Sequence, residues 1–192
     1  VLDSEVSIFD TMCASSPAQY ASNNETPLTK WANVTTTLAD LDTTRLHYVK
    51  VPLHHIVIDF DLRNEHGEKD PQLNLEAASL WPPTYAEYSK GGGGLHLHYL
   101  WDGDPSTLSA VYADGIEVKV FVGDSSLRRR LSRASTTPVA TISSGLPIKE
   151  QKVINSDTMK NERSIRDLIE RNLKKEIHAG TKSSIDFIHK IL

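Results

Sequence analysis

The chain has 192 residues, of which 39% are hydrophobic and 24% are charged, and its formal net charge at pH 7 is -4. This size and charge predict one globular domain with a small appendage, and they exclude a second full domain and a wholly basic nucleic-acid binder. The single cysteine, Cys13, excludes a disulfide framework and a zinc ribbon and makes the reducing cytoplasm the expected compartment. No apolar run is long enough to span a membrane, so we expect no membrane partner.

The N-terminal segment, residues 1–45, is rich in Ser, Thr, Asn and Asp, which predicts an irregular arm. Within it, four apolar residues share one helical face and predict a short helix: Trp31, Val34, Leu38 and Leu41. A folded core is expected to follow the arm.

The predicted core covers residues 46–148 and begins with a strand and a helix. The β-rich run over residues 54–62 is the strongest strand signal in the chain. After it, Asp70 followed by Pro71 predicts the start of a helix that stops at Pro82. The apolar stripe of this helix is Leu73, Ala77, Leu80 and Trp81.

Three more strands and a second short helix are predicted in the rest of the core. The strands cover residues 84–89, 95–101 and 116–122, and the short helix covers residues 106–112. This alternation predicts an α+β fold in which a mixed sheet carries helices on one face.

Residues 149–192 are predicted to form a helical appendage that continues in a longer parent chain. Leucine and isoleucine side chains at helical spacing between residues 165 and 173 mark one helix, and a second helix is expected over residues 183–192. The sequence thus predicts a sheet-based core flanked by an arm and an appendage.

Three of the predicted strands carry a pair of ionisable residues at alternate positions. Residues two apart share one face of a strand, so each pair lies opposite an apolar face. The pairs are Asp59 with Asp61, His96 with His98, and Glu117 with Lys119. If the apolar faces cover the helices, the other face of the sheet is free for chemistry.

Three carboxylates on one sheet face predict a metal site. Asp59, Asp61 and Glu117 repel one another unless a cation neutralises them, and oxygen ligands favour Mg²⁺ or Mn²⁺. A two-metal site for phosphoryl or nucleotidyl transfer is the natural use of such a group. A solvated pair would explain Asp59 and Asp61 by themselves, but the matching faces of the other strands favour the metal site.

The four consecutive glycines at residues 91–94 are a candidate phosphate-binding turn. A flexible linker is the ordinary explanation for such a run. However, a glycine turn lets the backbone at Gly93 and Gly94 approach a phosphate closely, and His96 follows where it could touch a triphosphate. No Gly-Lys-Ser/Thr sequence follows the glycines, which excludes a P-loop.

Further candidate triphosphate ligands lie later in the chain. Lys119 and the arginine run that starts with Arg128 and Arg129 supply positive charge, and Ser125 and Ser126 supply hydroxyl donors. By charge alone, the arginine run is more typical of a solvated helix face.

In their order and spacing these motifs resemble the archaeo-eukaryotic primase superfamily, the primase-polymerases. Asp59 and Asp61 match its first motif, two acids separated by one residue on a strand. The glycine turn leading to His96 matches its second motif, and Glu117 matches its third. From residue 54 to about residue 150, the chain is most similar to DNA primases encoded by phages and prophages.

This resemblance implies an RRM-like catalytic core that joins nucleotides from NTPs or dNTPs on a single-stranded DNA template. It implies that the three acids hold two Mg²⁺ or Mn²⁺ ions and that His96 and Lys119 bind the incoming triphosphate. It also implies a replicative helicase as a partner, in cis or in trans, and a bacterial host cytoplasm if the protein is phage-encoded. The chain departs from many members at Gly94, where they have serine, and it lacks the cysteine-rich zinc motif of some relatives.

Two other functions remain open from the sequence. The triplet from His96 to His98 is also typical of rolling-circle nickases, which use both histidines as metal ligands and a tyrosine as nucleophile. The tyrosines near the triplet are Tyr85, Tyr88, Tyr99 and Tyr112. The second is a non-catalytic single-strand-binding module on an RRM-like sheet. Such a module would need exposed aromatic residues on the open sheet face, but this face carries carboxylates, which repel phosphate.

Overall fold

The computed structural model describes residues 2–149 together with Arg166 and Glu170. The chain divides into two compact units, Val1–Lys149 and Glu150–Leu192. The two helices predicted between residues 149 and 192 lie outside the described residues. No helix in the described part of the chain is long and apolar enough to cross a membrane.

The described residues form an α+β structure, as the sequence predicts. The strands, numbered in chain order, are β1 (Ala18–Tyr20), β2 (His47–Val49), β3 (His55–Phe60), β4 (Ala86–Tyr88), β5 (Leu95–Trp101), β6 (Val111–Ala113), β7 (Ile116–Val120), β8 (Leu127–Arg129) and β9 (Ala140–Ile142). The helices are α1 (Ile8–Met12) and α2 (Pro71–Ser79), and 3-10 turns occur at Trp31–Asn33, Leu38–Asp40 and Pro105–Thr107.

The main sheet has the strand order β4-β5-β3-β7-β6, and all of these neighbours are antiparallel. β9 adds to β5 in parallel, so the sheet is mixed, as predicted. β3 lies between β5 and β7, and five of its six residues are buried. Its apolar sequence suits this central place, because a central strand is covered on both faces.

One face of the main sheet packs against α2. Asp70 caps this helix by accepting hydrogen bonds from the backbone N–H groups of Gln72 and Leu73, which confirms the predicted start. The predicted apolar stripe is wrong at Leu80, which is 87% exposed, whereas Asn74 is buried. The Asn74 side chain accepts from the N–H of Leu62 and donates to the carbonyl of Gly93, so α2 ties the end of β3 to the glycine turn.

Part of the other sheet face is covered by the N-terminal segment, which corrects two predictions. β1, β2 and β8 form a small second sheet, and α1 packs beside it. Phe9 from α1, Val57 from β3 and Tyr85 all lie in the resulting second core. Residues 1–45 are therefore more than an irregular arm, and only part of the ionisable face is left open.

Both predicted short helices outside α2 are wrong. The segment from Trp31 to Leu41 forms two separate 3-10 turns, and residues 106–112 form the end of a 3-10 turn followed by β6. β6 pairs with β7 across Asp114 and Gly115, where Gly115 has a φ of 70°. An Asp-Gly pair between two β-rich runs is a strong hairpin signal, and it could have identified β6 in the sequence.

Candidate functional site

The register of the main sheet aligns three of the predicted site residues across neighbouring strands. Asp59 on β3 lies directly opposite His96 on β5 and directly opposite Glu117 on β7. His96 Nε2 is 3.3 Å from Asp59 Oδ1, and Lys119 Nζ is 3.4 Å from Asp59 Oδ2. Lys119 also contacts the Glu117 carboxylate. The sheet thus brings together an acid, a histidine, a second acid and a lysine.

The Asp59 carboxylate is largely buried and only partly satisfied. Its Oδ1 atom has no hydrogen-bond partner among the described residues. Burial opposes the ionisation of Asp59, but His96 and Lys119 outweigh this effect, and the pKa of the carboxyl lies below its ordinary value. A largely buried, ionised carboxylate that is only partly paired suits a metal ligand.

Asp61 lies just past the end of β3, close to the glycine turn. Its Oδ1 atom is 2.5 Å from Lys69 Nζ. A Cβ atom on Gly94 would lie 2.5 Å from the same Asp61 oxygen and 3.0 Å from the carbonyl oxygen of Phe60. A side chain at residue 94 would therefore force Asp61 or the end of β3 to shift.

The predicted metal ligands line one acidic cleft of about 270 Å³. Asp59, Asp61 and Glu117 all border it, and Asp114 adds a fourth carboxylate. Asp114 was missed in the sequence, although its place in the Asp-Gly turn before β7 indicates that it lies near Glu117. The donor set of this cleft consists of carboxylate oxygens, which suits Mg²⁺ or Mn²⁺.

A second, cationic cavity of about 410 Å³ shares Asp59 with the acidic cleft. Its predicted members are His96, Lys119, Ser126 and Arg128, and its additional cations are Lys69 and Lys90. Neither lysine belongs to a motif that the sequence analysis used, because the turns that carry them are positioned only by the fold. Val57, Phe121 and Leu127 give the cavity an apolar side.

The predicted phosphate contacts of Gly93 and Gly94 differ from the arrangement in the structure. The carbonyl of Gly93 accepts from Asn74, and the N–H of Gly94 donates to the Ser89 hydroxyl. Among the four glycines, Gly91 borders the cationic cavity. The turn is therefore held by α2 and Ser89, and the backbone of Gly94 is already paired.

Arg129 does not join Arg128 at the cavity, which contradicts its predicted contact with a triphosphate. Successive residues of β8 point to opposite faces, so Arg128 is exposed and Arg129 is buried. Arg129 Nε donates to both Glu87 oxygens at 2.9 and 2.8 Å, and its guanidinium also pairs with Asp10 and donates to Ser7 Oγ. Arg129 joins the second sheet to β4 and α1.

Glu25 closes over the rim of the cationic cavity. Its carboxylate contacts both Lys90 and Arg128, and its backbone carbonyl accepts a hydrogen bond from the Tyr48 hydroxyl. The pairing with Lys90, and then with Arg128, lowers the pKa of the Glu25 carboxyl. Two cations of the cavity are therefore engaged by a residue of the N-terminal segment.

Among the described residues, the group of three side chains whose ligand atoms lie close enough together to hold one metal ion is Glu87, His96 and His98, whereas Asp59, Asp61 and Glu117 border one cleft without coming that close to one another. One ligand atom each from Glu87, His96 and His98 lies within 4.8 Å of the others. Glu87 and His98 are fully buried, whereas His96 borders the cationic cavity. Burial lowers the pKa of His98, and the nearby Glu87 carboxylate offsets this only in part.

No protein-family model and no curated protein matches this sequence. Function is therefore inferred from the site itself. The structure brings the three predicted acids to one cleft and His96, Lys119, Ser126 and Arg128 to the adjoining cavity.

Proposed function

We propose that this chain is the catalytic domain of a phage-type DNA primase or primase-polymerase. It transfers nucleotidyl groups from NTPs or dNTPs to a growing strand on a single-stranded DNA template. The observation that carries this proposal is the position of Asp59, which borders both the acidic cleft and the cationic cavity. Metal-dependent nucleotidyl transfer needs metal-binding carboxylates directly beside a place for a polyanionic triphosphate.

The acidic cleft is the proposed site for Mg²⁺ or Mn²⁺. Asp59, Asp61 and Glu117 would hold the ions, and the largely buried Asp59 carboxylate borders the cleft together with the other two acids. When bound, such ions activate the attacking 3′ hydroxyl and stabilise the leaving pyrophosphate.

The cationic cavity is the proposed site for the incoming triphosphate. Lys119 links the two sites, because its ammonium group contacts Glu117 and lies near Asp59. The positive side chains facing the triphosphate would be Lys69, Lys90, Lys119 and Arg128, with Ser126 as a hydroxyl donor, and His96 borders the same cavity. The apolar side of the cavity would accommodate the sugar or base.

The RRM-like architecture of the core belongs to the same proposal. An antiparallel sheet with α2 on one face and chemistry on the other is compatible with it. The DNA template, the helicase partner and the bacterial cytoplasm stay predictions that follow from the primase assignment.

A rolling-circle nickase is the second candidate, because the structure brings Glu87 to the two histidines of the triplet. A nickase also needs an available tyrosine. The Tyr85 hydroxyl is buried beside Ser7 and Glu87, and the Tyr99 hydroxyl donates to the Pro82 carbonyl. Tyr88 packs with the α2-side core, and Tyr112 contacts Trp81 on that side. These placements favour the primase.

The decisive experiment is synthesis from labelled nucleotides on single-stranded DNA with Mg²⁺ or Mn²⁺, without a primer and with one. We expect incorporation by the unmutated chain and background levels for Asp59→Ala and Glu117→Ala. Asp124→Ala is the matched control, because the Asp124 side chain is fully exposed and lies outside both the cleft and the cavity. Synthesis retained by Asp59→Ala would contradict the primase assignment, and a covalent protein–DNA adduct would favour the nickase.

A further inference from the structure

We infer that Glu87, His96 and His98 form a binding site for one divalent transition-metal ion of the Zn²⁺ or Co²⁺ class. This site is distinct from the carboxylate cleft proposed for Mg²⁺ or Mn²⁺, and it does not depend on the proposed nucleotidyl transfer. Two imidazole nitrogens and one carboxylate oxygen favour such ions over Mg²⁺, which prefers oxygen ligands.

The distance between His98 and Glu87 suits a small tetrahedral ion, and the His96 ligand atom lies within 4.8 Å of both. His98 Nε2 lies 3.4 Å from Glu87 Oε1, yet this nitrogen has no hydrogen-bond partner among the described residues. Two ligands bound to Zn²⁺ at about 2.1 Å in a tetrahedron are separated by about 3.4 Å. His96 Nδ1, the third ligand atom that we assign, is also buried without a partner. Two histidines, each with a buried ring nitrogen that lacks a partner among the described residues, therefore lie beside the Glu87 carboxylate.

The remaining nitrogen of each histidine faces a group that can fix the ring. His96 Nε2 lies 3.3 Å from Asp59 Oδ1, and His98 Nδ1 is hydrogen-bonded to His55 Nε2 at 3.0 Å. A proton on these outer nitrogens leaves lone pairs on His96 Nδ1 and His98 Nε2. Metal-binding histidines in proteins are usually oriented in this way, by a carboxylate or another acceptor behind the ring.

The Glu87 carboxylate keeps one oxygen available for the ion. Its Oε2 atom accepts from both Tyr85 and Arg129, whereas Oε1 shares only the Arg129 Nε–H group. Asp10 also pairs with Arg129, so the two carboxylates exceed the charge of the guanidinium by one. A divalent cation beside Oε1 is thus compatible with the local charge.

The ion would enter from the cationic cavity. His96 borders that cavity and is 13% exposed, whereas Glu87 and His98 are enclosed. Bound there, the ion would hold the His96 ring from behind and keep its Nε2 atom toward Asp59. The site would therefore position His96 between the acidic cleft and the cationic cavity.

The test is Zn²⁺ binding to the full chain, freed of metal with EDTA and dialysed, measured by equilibrium dialysis in excess Mg²⁺. We expect one tightly bound Zn²⁺ per chain, Co²⁺ absorption bands typical of nitrogen and oxygen ligands, and a higher Tm with Zn²⁺. His98→Phe should weaken binding by more than about 100-fold, because loss of an outer partner alone typically costs about 10- to 100-fold. Phenylalanine suits this place, since Phe9 and Tyr85 already pack against the His98 ring.

Two further variants keep the test decisive. His96→Ala changes a residue that is only partly buried, and it should also abolish tight binding. It can therefore replace His98→Phe if that variant does not fold. His54→Ala is the matched control, because His54 is an exposed histidine that bonds to the Gly103 carbonyl. Undiminished Zn²⁺ binding in His96→Ala, loss of binding in His54→Ala, or displacement of Zn²⁺ by Mg²⁺ would each overturn the proposed site.

Discussion

Glu117 and Lys119 lie two residues apart on β7, but they contribute differently to the proposed reaction. Glu117 borders the acidic cleft and Lys119 borders the cationic cavity. Glu117→Ala should therefore lower kcat by orders of magnitude at any nucleotide concentration, because it removes a metal ligand. Lys119→Ala should mainly raise KM, by about ten- to hundred-fold, as expected for one charge-assisted contact.

Steady-state kinetics together with nucleotide binding in Ca²⁺ separate these two effects. Lys119→Ala should weaken binding in Ca²⁺ to the same extent as it raises KM. A Glu117→Ala variant with a raised KM and an unchanged kcat would show that Glu117 binds the substrate rather than the reacting metal.

Gly94 tests how closely the glycine turn approaches Asp61. Gly94→Ala should reduce synthesis at least about ten-fold and destabilise the fold by about 1–3 kcal/mol, because the new Cβ meets Asp61 and the Phe60 carbonyl. Gly91→Ala is the control for stability, since a Cβ at residue 91 meets nothing within 4 Å. Synthesis assays of Gly94→Ala and urea unfolding of both variants measure this, and equal losses of stability would argue for turn flexibility instead.

His47 predicts a pH dependence of stability. Burial lowers the pKa of this histidine, although its hydrogen bond to the Arg45 carbonyl opposes the shift, and Arg129, Asp10 and Glu87 are the charged groups near it. The unfolded chain therefore takes up a proton first, at its ordinary pKa of about 6.5, so the stability from neutral His47 is present above that pH and is lost as the pH falls.

Urea unfolding in EDTA at pH 7.5, 6.5 and 5.5 measures this loss. As the pH falls, His47→Gln should lose stability less steeply than the unmutated protein. The two slopes should differ by at most about 1.4 kcal/mol per pH unit, because the substitution removes one titrating group. Identical slopes for the two proteins would show that His47 binds its proton equally well in both states.

Among the elements, the central strands could be predicted because local pattern and tertiary place agree. The strands predicted over residues 54–62, 95–101 and 116–122 correspond to β3, β5 and β7. Their alternation also placed Asp59 and Glu117 on one face, which the register of the sheet bears out.

The short strands of the second sheet, β1, β2 and β8, could not be predicted, because long-range pairing rather than local pattern forms them. β2 and β8 have three residues each and pair with each other across about 80 residues of chain. The sequence therefore predicts Arg129 on the surface, although β8 turns its side chain into the protein beside Phe9 of the second core. Lys90 was missed for a related reason, since only the fold brings its turn to the cavity.

The turn that carries Glu25 should compete with an anionic ligand for the cavity cations. Glu25→Gln should bind inorganic triphosphate a few-fold more tightly, because Lys90 and Arg128 are then free to pair with it. Glu5→Gln should change nothing, since Glu5 is exposed and lies near Arg133 away from the cavity. Calorimetric titration at low salt measures triphosphate binding by both variants. Weaker binding by Glu25→Gln would show that Glu25 does not compete with the anion for these cations.

At the scale of the whole molecule, the protein should be sensitive to the loss of Arg129, the cation of a buried charge network. Arg129→Leu leaves Glu87 and Asp10 without their cation and should destabilise the protein by about 3–5 kcal/mol. Arg128→Leu, its exposed neighbour on the same strand, should leave the free energy of unfolding nearly unchanged. Urea unfolding in EDTA distinguishes them, and similar losses in both variants would contradict the importance of the buried pair.

The same network limits how this protein could be recombined with others. The Arg129 guanidinium bonds to Ser7 and Asp10 at α1 and to Glu87 on β4 of the main sheet. A gene fusion or a natural exchange that replaced residues 1–45 would remove Ser7 and Asp10 and would have to supply new hydrogen-bond acceptors for a guanidinium already inside the protein. A transferable unit of this protein must therefore keep Ser7 and Asp10 together with Glu87 and Arg129.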